Sequence, residues 1–161
     1  MDIKLSDRGK RIKPSPPLAI TAHANALKAA GKDVIGLGAG EPDFDTPAHI
    51  KAAASRAMDA GMTKYTAVDG TAELKQAIIN KFRNDNGLDY TPDQVLVSCG
   101  GKQSFYNLCQ ALLNEGDEVV IPAPYWVSYP DMVLLGDATP VVIETDIEQQ
   151  FKLTPAQLEA A

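Results

Sequence analysis

The sequence predicts an α/β fold in which a parallel sheet is covered by helices. Two observations lead to this prediction: three β-type apolar runs alternate with two helical patterns in the second half of the chain, and the links between them are short. A strand, a helix and a second strand joined by short links pair in parallel, because the helix returns the chain to the end from which it started. The apolar runs cover 94–98, 118–121 and 140–143, and the helical patterns cover 102–113 and 124–135.

The first half of the chain is predicted to be mainly helical. Apolar residues recur at helical spacing, and a glycine or an Asn-Gly pair follows each segment as a stop signal. Thr46 before Pro47 is typical of a helix start, with the threonine as N-cap and the proline at the first helical position. The predicted helices cover 18–30, 48–60 and 71–86, and a short strand is predicted at 33–38.

Neither end of the chain belongs to the predicted sheet. Residues 1–17 are basic and rich in proline, which predicts an extended, solvated arm. Near the other end, Thr154 and Gln157 form a capping-box pattern with Pro155 at the first helical position. That helix has scarcely begun at Ala161, and three parallel strands leave sheet faces and edges that need cover. We therefore expect residues 1–161 to be the N-terminal part of a longer protein.

Composition argues against several classes of function. The 161 residues carry a formal net charge of -6, which gives no general attraction to nucleic acid or to anionic lipid. No apolar run approaches the ~20 residues of a membrane span, and the first residues lack the apolar segment of a secretory signal. The two cysteines have no CxxC or CxxH neighbour, so they predict no zinc site and, without a secretory signal, no disulfide. We expect a cytoplasmic protein without a metal.

The strongest candidate for a ligand site is the glycine turn that follows the apolar run at 94–98. Cys99 leads into Gly100 and Gly101, and Lys102 opens the next helical pattern. A strand that passes through glycines into a helix N-terminus presents free N–H groups and the positive end of the helix dipole, which together bind anions. An ordinary tight turn that happens to use glycine is the alternative.

Two nucleotide-binding patterns do not fit the glycines of this sequence. A Walker loop requires Ser or Thr after its Gly-Lys pair, whereas Gln103 follows Lys102, and Leu96 stands where the first glycine belongs. The glycines at 36–40 are spaced GxGxG rather than GxGxxG, and Glu-Pro follows where a helix should begin. Glycines in this arrangement are more typical of a backbone that approaches a ligand or a neighbouring segment closely.

A large aromatic side chain follows the next predicted strand. Trp126 lies in the segment Pro-Ala-Pro-Tyr-Trp at 122–126, at the carboxyl end of the run at 118–121. Ligands of open α/β sheets bind beyond the carboxyl ends of the strands, so this ring and the glycine turn are expected on the same side. A packing anchor is the alternative for a single tryptophan. Together, N–H groups that can bind a phosphate and a flat aromatic side chain suit a cofactor with a phosphate group and a planar ring.

Four motifs in this order resemble the class I pyridoxal-phosphate aminotransferases, in the bacterial aspartate aminotransferase branch. They are AGEPDFDTP at 39–47, KYT at 64–66 with Asp69-Gly70, SCGGKQ at 98–103 and PYWVSYP at 124–130. The resemblance runs over essentially all 161 residues, which are well under half of the usual family chain. It implies a three-layer sandwich of the fold-type I pyridoxal-phosphate-dependent transferases, incomplete here. Residues 1–45 would form the arm and a helix that belongs with the small domain, and 46–161 the first part of the large domain.

The resemblance implies a pyridoxal 5'-phosphate site made from several segments. Gly100, Gly101 and Lys102 match the loop whose backbone amides hold the cofactor phosphate. Trp126 matches the tryptophan that stacks on the pyridine ring. Tyr65 matches a tyrosine that reaches the phosphate in the partner subunit, which implies a homodimer with shared sites.

The resemblance also implies contacts to substrate. Gly40 matches the glycine whose backbone meets the substrate carboxylate, and Trp126 helps to hold the substrate. Lys102 is associated in this branch with the distal carboxylate of a dicarboxylic substrate, although a cation that only offsets phosphate charge is the alternative. Lys13 and Ser15 match a mobile N-terminal segment that folds over the substrate.

The family's Schiff-base lysine is expected beyond Ala161, so no residue of 1–161 receives a catalytic role. The leading hypothesis is a fragment of an aminotransferase that moves an amino group from L-aspartate, or a similar acidic amino acid, to a 2-oxo acid. An aminotransferase for prephenate or an aromatic substrate is the first alternative. A non-catalytic domain that binds a phosphate-bearing ligand is the second.

Overall fold

The computed structural model describes residues 4–38 and 40–161 and divides them into two compact units. One unit contains 20–98, and the other contains 99–161 together with the arm residues 4–19. The helices are α1 (Asp7–Lys10), α2 (Pro16–Ala29), α3 (Ala48–Asp59), α4 (Ala72–Lys81), α5 (Gly101–Leu112), α6 (Ser128–Leu135) and α7 (Pro155–Ala160). The strands are β1 (Glu118–Ala123) and β2 (Thr139–Glu144).

The sheet of the second unit is parallel, as the sequence predicts. Strands β1 and β2 pair from Glu118 opposite Thr139 to Ala123 opposite Glu144, and α6 connects them. Within the residues that the structure describes, the sheet has these two strands rather than three. The helix α7 begins at the predicted capping box, where the Thr154 hydroxyl accepts a hydrogen bond from the Gln157 N–H at 3.3 Å.

The core of this unit lies between α5, α6 and the sheet. Val133 of α6 is completely buried, and Cys109, Ile121, Met132 and Ala138 are buried around it. Of the apolar side chains of α5, Cys109 is buried in this core, whereas Leu108 and Leu112 are exposed.

The basic arm is not simply solvated, so that expectation is wrong for residues 7–11. Ser6 caps α1 by accepting a hydrogen bond from Gly9 N–H at 3.1 Å. Arg8 and Arg11 then bind the two carboxylate oxygens of Asp137 at 3.1 and 2.6 Å. Arg11 also donates to the main-chain oxygen of Leu134, near the end of α6, at 3.4 Å. Residues 1–3 of the predicted arm lie outside the described part of the chain.

The unit 20–98 is helical, and the two strands predicted in it are not formed. The segment 94–98 begins in a 3-10 turn (Pro92–Gln94) whose capping box joins Thr91 and Gln94. The Val97 N–H then donates to the main-chain oxygen of Asp69 at 3.0 Å instead of to a neighbouring strand. An apolar run becomes a strand only where another strand pairs with it, and none lies beside 94–98 or 33–38 in the described residues.

The caps or bounds of several helices differ from the prediction, and α2 begins at Pro16 rather than at 18. Helix α3 begins at Ala48 with Pro47 as its N-cap and without a side-chain cap, so Thr46 does not cap it. Helix α6 begins at Ser128 rather than at 124, which leaves Trp126 in the preceding loop. The helix predicted at 71–86 is α4 followed by a π-helical turn (Phe82–Asn86), and Gly87 ends it in the left-handed conformation, as predicted. No helix of the described residues is long and apolar enough to cross a membrane.

Candidate functional site

The glycine turn before α5 has the geometry of an anion site. Gly100 precedes the helix with φ +87° and ψ 164°, a conformation that L side chains rarely adopt. The side-chain oxygen of Gln103 accepts a hydrogen bond from the Cys99 N–H at 2.5 Å and closes the turn from within the first helical turn. The first N–H groups of a helix have no partner inside it, so those of Gly101 and Lys102 remain available for a ligand. A Cβ at Gly100 or Gly101 would meet no described atom within 4 Å, so the backbone is open.

Trp126 follows the carboxyl end of β1, where Thr145 fixes the main chain at Ala123 and Tyr129 packs against the indole. The Thr145 N–H donates to the main-chain oxygen of Ala123 at 3.2 Å, and the Thr145 hydroxyl donates to the same oxygen. The Trp126 ring meets the Tyr129 ring edge-on, with 5.5 Å between centroids and 84° between planes. Tyr129 in turn meets Phe105 of α5, with 5.0 Å and 65°. The indole is therefore oriented by its neighbours while 45% of Trp126 stays exposed.

Lys102 joins the glycine turn to this aromatic group. Its ammonium nitrogen lies 4.4 Å from the centroid of the Trp126 ring, a cation–π contact. A cleft of about 680 Å³ opens beside the two side chains and is lined by Gly101, Lys102, Ser104, Phe105, Leu108, Trp126 and Tyr129. The cleft thus offers helix N-terminal amides, one cation and an aromatic face. Such a set suits a ligand with an anionic group and a flat ring.

The remaining predicted site residues lie elsewhere. Lys13 is exposed on the arm and does not line this cleft, and Ser15 is half-buried. Tyr65 and Gly40 belong to the unit 20–98, where Tyr65 is fully exposed and a Cβ at Gly40 would meet no described atom within 4 Å. Ala39, the first residue of the first motif, lies outside the described residues.

The glycine run at 36–40 does bring backbone close to a neighbouring segment. A Cβ on Gly38 would lie 3.1 Å from the Ile20 and Thr21 side chains of α2. Gly38 therefore lets the chain pass directly against the helix, whereas Gly40 leaves open space.

Sequence reasoning assigned no role to two residues that shape the cleft. Tyr129 sets the plane of Trp126, and Gln103 closes the glycine turn. Tyr129 stands three residues after Trp126, a spacing at which side chains meet at the start of a helix. Gln103 stands four residues after Cys99. A Gln in the first turn of a predicted helix is a signal for a hydrogen bond in which its side-chain oxygen accepts from an N–H before the helix.

The two cysteines are expected to differ in reactivity with a thiol reagent. Cys99 is exposed, whereas Cys109 is buried and its burial raises the pKa of its thiol. Since the thiolate is the nucleophile, iodoacetamide should label Cys99 in the folded protein and Cys109 only after unfolding. Peptide mass spectrometry before and after urea measures the two sites. Equal labelling of both cysteines without urea would contradict the packing of α5.

A glycine turn with open N–H groups beside an aromatic face that follows the carboxyl end of β1 is the kind of site that suits proteins with a phosphorylated, ring-bearing cofactor. The sequence profile of the family described as "Aminotransferase class I and II" matches residues 32–161. The chain belongs to this family, whose cofactor is pyridoxal 5'-phosphate.

Named relatives and solved structures agree with this family. The chain is 64% identical over 159 residues to the aspartate/prephenate aminotransferase of Nitrosomonas europaea, covering 99% of this chain and 40% of that protein. It is 67% identical over 157 residues to the protein of the same name from Cereibacter sphaeroides, covering 98% of this chain and 39% of that protein. The crystal structure of the aspartate aminotransferase from Rhizobium meliloti matches with a TM-score of 0.93 and 51% identity, over 99% of this chain and 40% of that chain.

The aspartate aminotransferase of Thermus thermophilus with maleate also matches, with a TM-score of 0.93 and 46% identity, over 99% of this chain and 42% of that chain. The α/β fold is accordingly the first part of a fold-type I transferase. The chain spans about two fifths of the length of these relatives.

The residues of the cleft fit pyridoxal 5'-phosphate. The phosphate requires N–H donors and positive charge, which the open glycine turn and Lys102 provide. The pyridine ring requires a flat apolar partner, which the exposed face of Trp126 provides.

Proposed function

We propose that the full-length protein containing residues 1–161 is an aminotransferase that moves an amino group from L-aspartate, or a similar acidic amino acid, to a 2-oxo acid. One observation supports the acidic substrate most directly: the Lys102 ammonium lies over the Trp126 ring in the same cleft as the glycine turn. A substrate with a second carboxylate would find a cation there. Maleate, named with the Thermus thermophilus structure, is such a dicarboxylate.

Each residue of the cleft has a proposed task. The N–H groups of Gly100, Gly101 and Lys102 bind the cofactor phosphate, and Trp126 orients the ring and helps to hold the substrate. When bound, pyridoxal phosphate supplies the electron sink for the chemistry at the amino-bearing carbon. In the other parts of the chain, Gly40 would meet the substrate carboxylate through its backbone.

Further features of the full-length protein are part of the proposal. Tyr65 would reach the phosphate of a partner subunit in a homodimer, and its full exposure leaves it free to do so. Lys13 would lie on a segment that folds over the substrate. Residues 1–45 would belong with a small domain and 46–161 with the large domain, in a cytoplasmic enzyme.

A protein consisting of residues 1–161 alone is expected to show no transamination. None of its lysines matches the Schiff-base motif of the family, and a transaminase needs that amine both to hold the cofactor and to move a proton. The measurement is a coupled assay with aspartate and 2-oxoglutarate in the presence of pyridoxal phosphate, with the full-length protein as the positive control. Turnover by the 161-residue chain would show that one of its own lysines acts as the Schiff-base lysine.

Lys102→Ala in the full-length protein is expected to lower kcat/KM for aspartate by about tenfold more than for an aromatic donor, since a hydrogen bond to a charged group contributes ~1.5–3 kcal/mol. Steady-state kinetics with aspartate and phenylalanine measure the two losses. Lys32→Ala, at an exposed lysine of the other unit that lies outside the four motifs, is the matched control. Equal losses of kcat/KM on both donors would contradict a contact between Lys102 and the distal carboxylate of the substrate. Lys102 would then have only its role at the cofactor phosphate.

The first alternative is an aminotransferase for prephenate or an aromatic substrate. The names of the Nitrosomonas europaea and Cereibacter sphaeroides relatives include prephenate, and the aromatic group of Phe105, Trp126 and Tyr129 lines the cleft. The same assay with prephenate as the acceptor distinguishes this case. Binding of pyridoxal phosphate without turnover on any donor would instead favour the second alternative, a non-catalytic domain.

A further inference from the structure

Two helical segments of the described residues begin with a capping box in which glutamine is the third helical residue. In the 3-10 turn, the Gln94 side-chain oxygen accepts a hydrogen bond from the Thr91 N–H at 2.9 Å. In α7, the Gln157 side-chain oxygen accepts one from the Thr154 N–H at 3.0 Å. Each threonine is the N-cap residue, so in both cases the N–H of the N-cap is bound inside the protein.

Helix α5 also has a glutamine at this position, but the glutamine binds one residue earlier in the chain. Gly100 is the N-cap residue of α5, and Gln103 is its third helical residue. The Gln103 side-chain oxygen accepts its hydrogen bond from the Cys99 N–H rather than from the Gly100 N–H. Within the described part of the chain, no acceptor binds the Gly100 N–H. The turn is therefore closed while the N–H of its N-cap remains available.

The other half of a capping box is missing at α5 as well. In α7, the Thr154 hydroxyl accepts a hydrogen bond from the Gln157 N–H at 3.3 Å. Gly100 has no side chain, so the N-cap of α5 offers no acceptor to the N–H groups of Lys102 and Gln103. The start of α5 thus keeps N–H donors that an ordinary cap would use.

We propose that Gln103 is a positioning residue for the phosphate-binding turn, because it holds the turn through Cys99 and leaves the Gly100 N–H for the phosphate. This inference rests on the proposed role of Gly100, Gly101 and Lys102 as the phosphate site. All of these residues belong to the unit that contains 99–161. Gln103 does not line the cleft, so it acts through the backbone rather than by touching the ligand. Donors that are fixed before the ligand arrives need not be ordered on binding, and this raises the affinity.

Gln103→Met in the full-length protein removes the acceptor and keeps a side chain of similar length. The position is exposed, so the substitution is expected to leave the fold intact. Gln157→Met is the matched control, because it removes the same side chain at the same helical position of α7, away from the cleft. Thermal unfolding followed by circular dichroism shows whether either variant has lost stability.

Equilibrium dialysis of the full-length protein, freed of cofactor, compares two probes that differ by one group. Pyridoxal 5'-phosphate carries the phosphate, and pyridoxal has the same ring without it. We expect Gln103→Met to raise the dissociation constant of pyridoxal 5'-phosphate by about fivefold and that of pyridoxal by less than about twofold, as for the loss of one hydrogen bond. Gln157→Met should change either constant by less than about twofold.

The outcomes separate this inference from the proposed function. A loss confined to the phosphorylated probe supports the positioning role of Gln103. If Gln103→Met binds pyridoxal 5'-phosphate as tightly as Gln157→Met does, or weakens both probes equally, that role is overturned while the phosphate site stands. If the unsubstituted protein binds pyridoxal 5'-phosphate no more tightly than pyridoxal, the phosphate site itself fails and the inference fails with it.

Discussion

Replacing Gly70 by alanine is expected to lower the free energy of unfolding by about 3 kcal/mol, the sum of backbone strain and overpacking. Gly70 has φ +109°, a conformation that is strained for any L side chain. The new Cβ would also lie 2.6 Å from Cγ2 and 2.9 Å from Cβ of Val97. Rotation of the Val97 side chain would move Cγ2 but not Cβ, so relief requires a shift of the backbone, which the hydrogen bond from the Val97 N–H to Asp69 opposes.

Gly87→Ala is the matched control for this prediction. Gly87 also has a positive φ, +67°, but a Cβ there would meet no described atom within 4 Å. Strain alone should then cost about 1 kcal/mol. Urea denaturation of the full-length protein, followed by circular dichroism, measures both variants. Equal destabilisation by the two substitutions would mean that a Cβ at position 70 does not clash with Val97.

Trp126→Ala in the full-length protein is expected to lower kcat/KM by roughly 30-fold, through loss of about 2 kcal/mol of aromatic and cation–π contact. The indole face is the flat surface of the cleft, and Lys102 lies 4.4 Å above it. Its removal takes away the aromatic contact to the ammonium of Lys102 and, under the proposed function, the face on which the cofactor ring stacks. Steady-state kinetics with aspartate at saturating cofactor measure the effect.

Two further variants identify the cause of this loss. Trp126→Phe keeps an aromatic face and should recover part of the activity. Tyr125→Ala removes the neighbouring ring, which does not line the cleft beside the glycine turn, and should change kcat/KM by less than about threefold. A loss with Tyr125→Ala as large as with Trp126→Ala would indicate a disturbed loop rather than a lost aromatic face.

Much of the site could be predicted because its signals are local. Two glycines before a helical pattern predict a helix N-terminus with free amides, and Gly100 does have a positive φ at the start of α5. The parallel pairing of β1 and β2 follows from the short links around α6. The capping box at Thr154 is read from four consecutive residues, and the structure forms it.

The predictions that failed concern partners distant in sequence. Residues 94–98 have the composition of a strand, yet the Val97 N–H bonds to Asp69, which lies in a turn 28 residues earlier. The arm looks like a solvated tail, yet Arg8 and Arg11 bind Asp137. Composition cannot identify such partners, because strand pairing and ion pairing depend on which segments the fold brings together.

By itself, the sequence of this protein determined the class of fold, the family and the glycine turn with its lysine. The family follows from the resemblance of four motifs, whereas the fold class and the glycine turn follow from patterns of backbone preference and hydrogen-bonding need that act over a few residues. Only the tertiary structure decided that Lys102 lies over Trp126, that Tyr129 orients the indole, and that Lys75 is buried against Asp69. Those contacts join side chains from separate elements, and packing of the elements selects them.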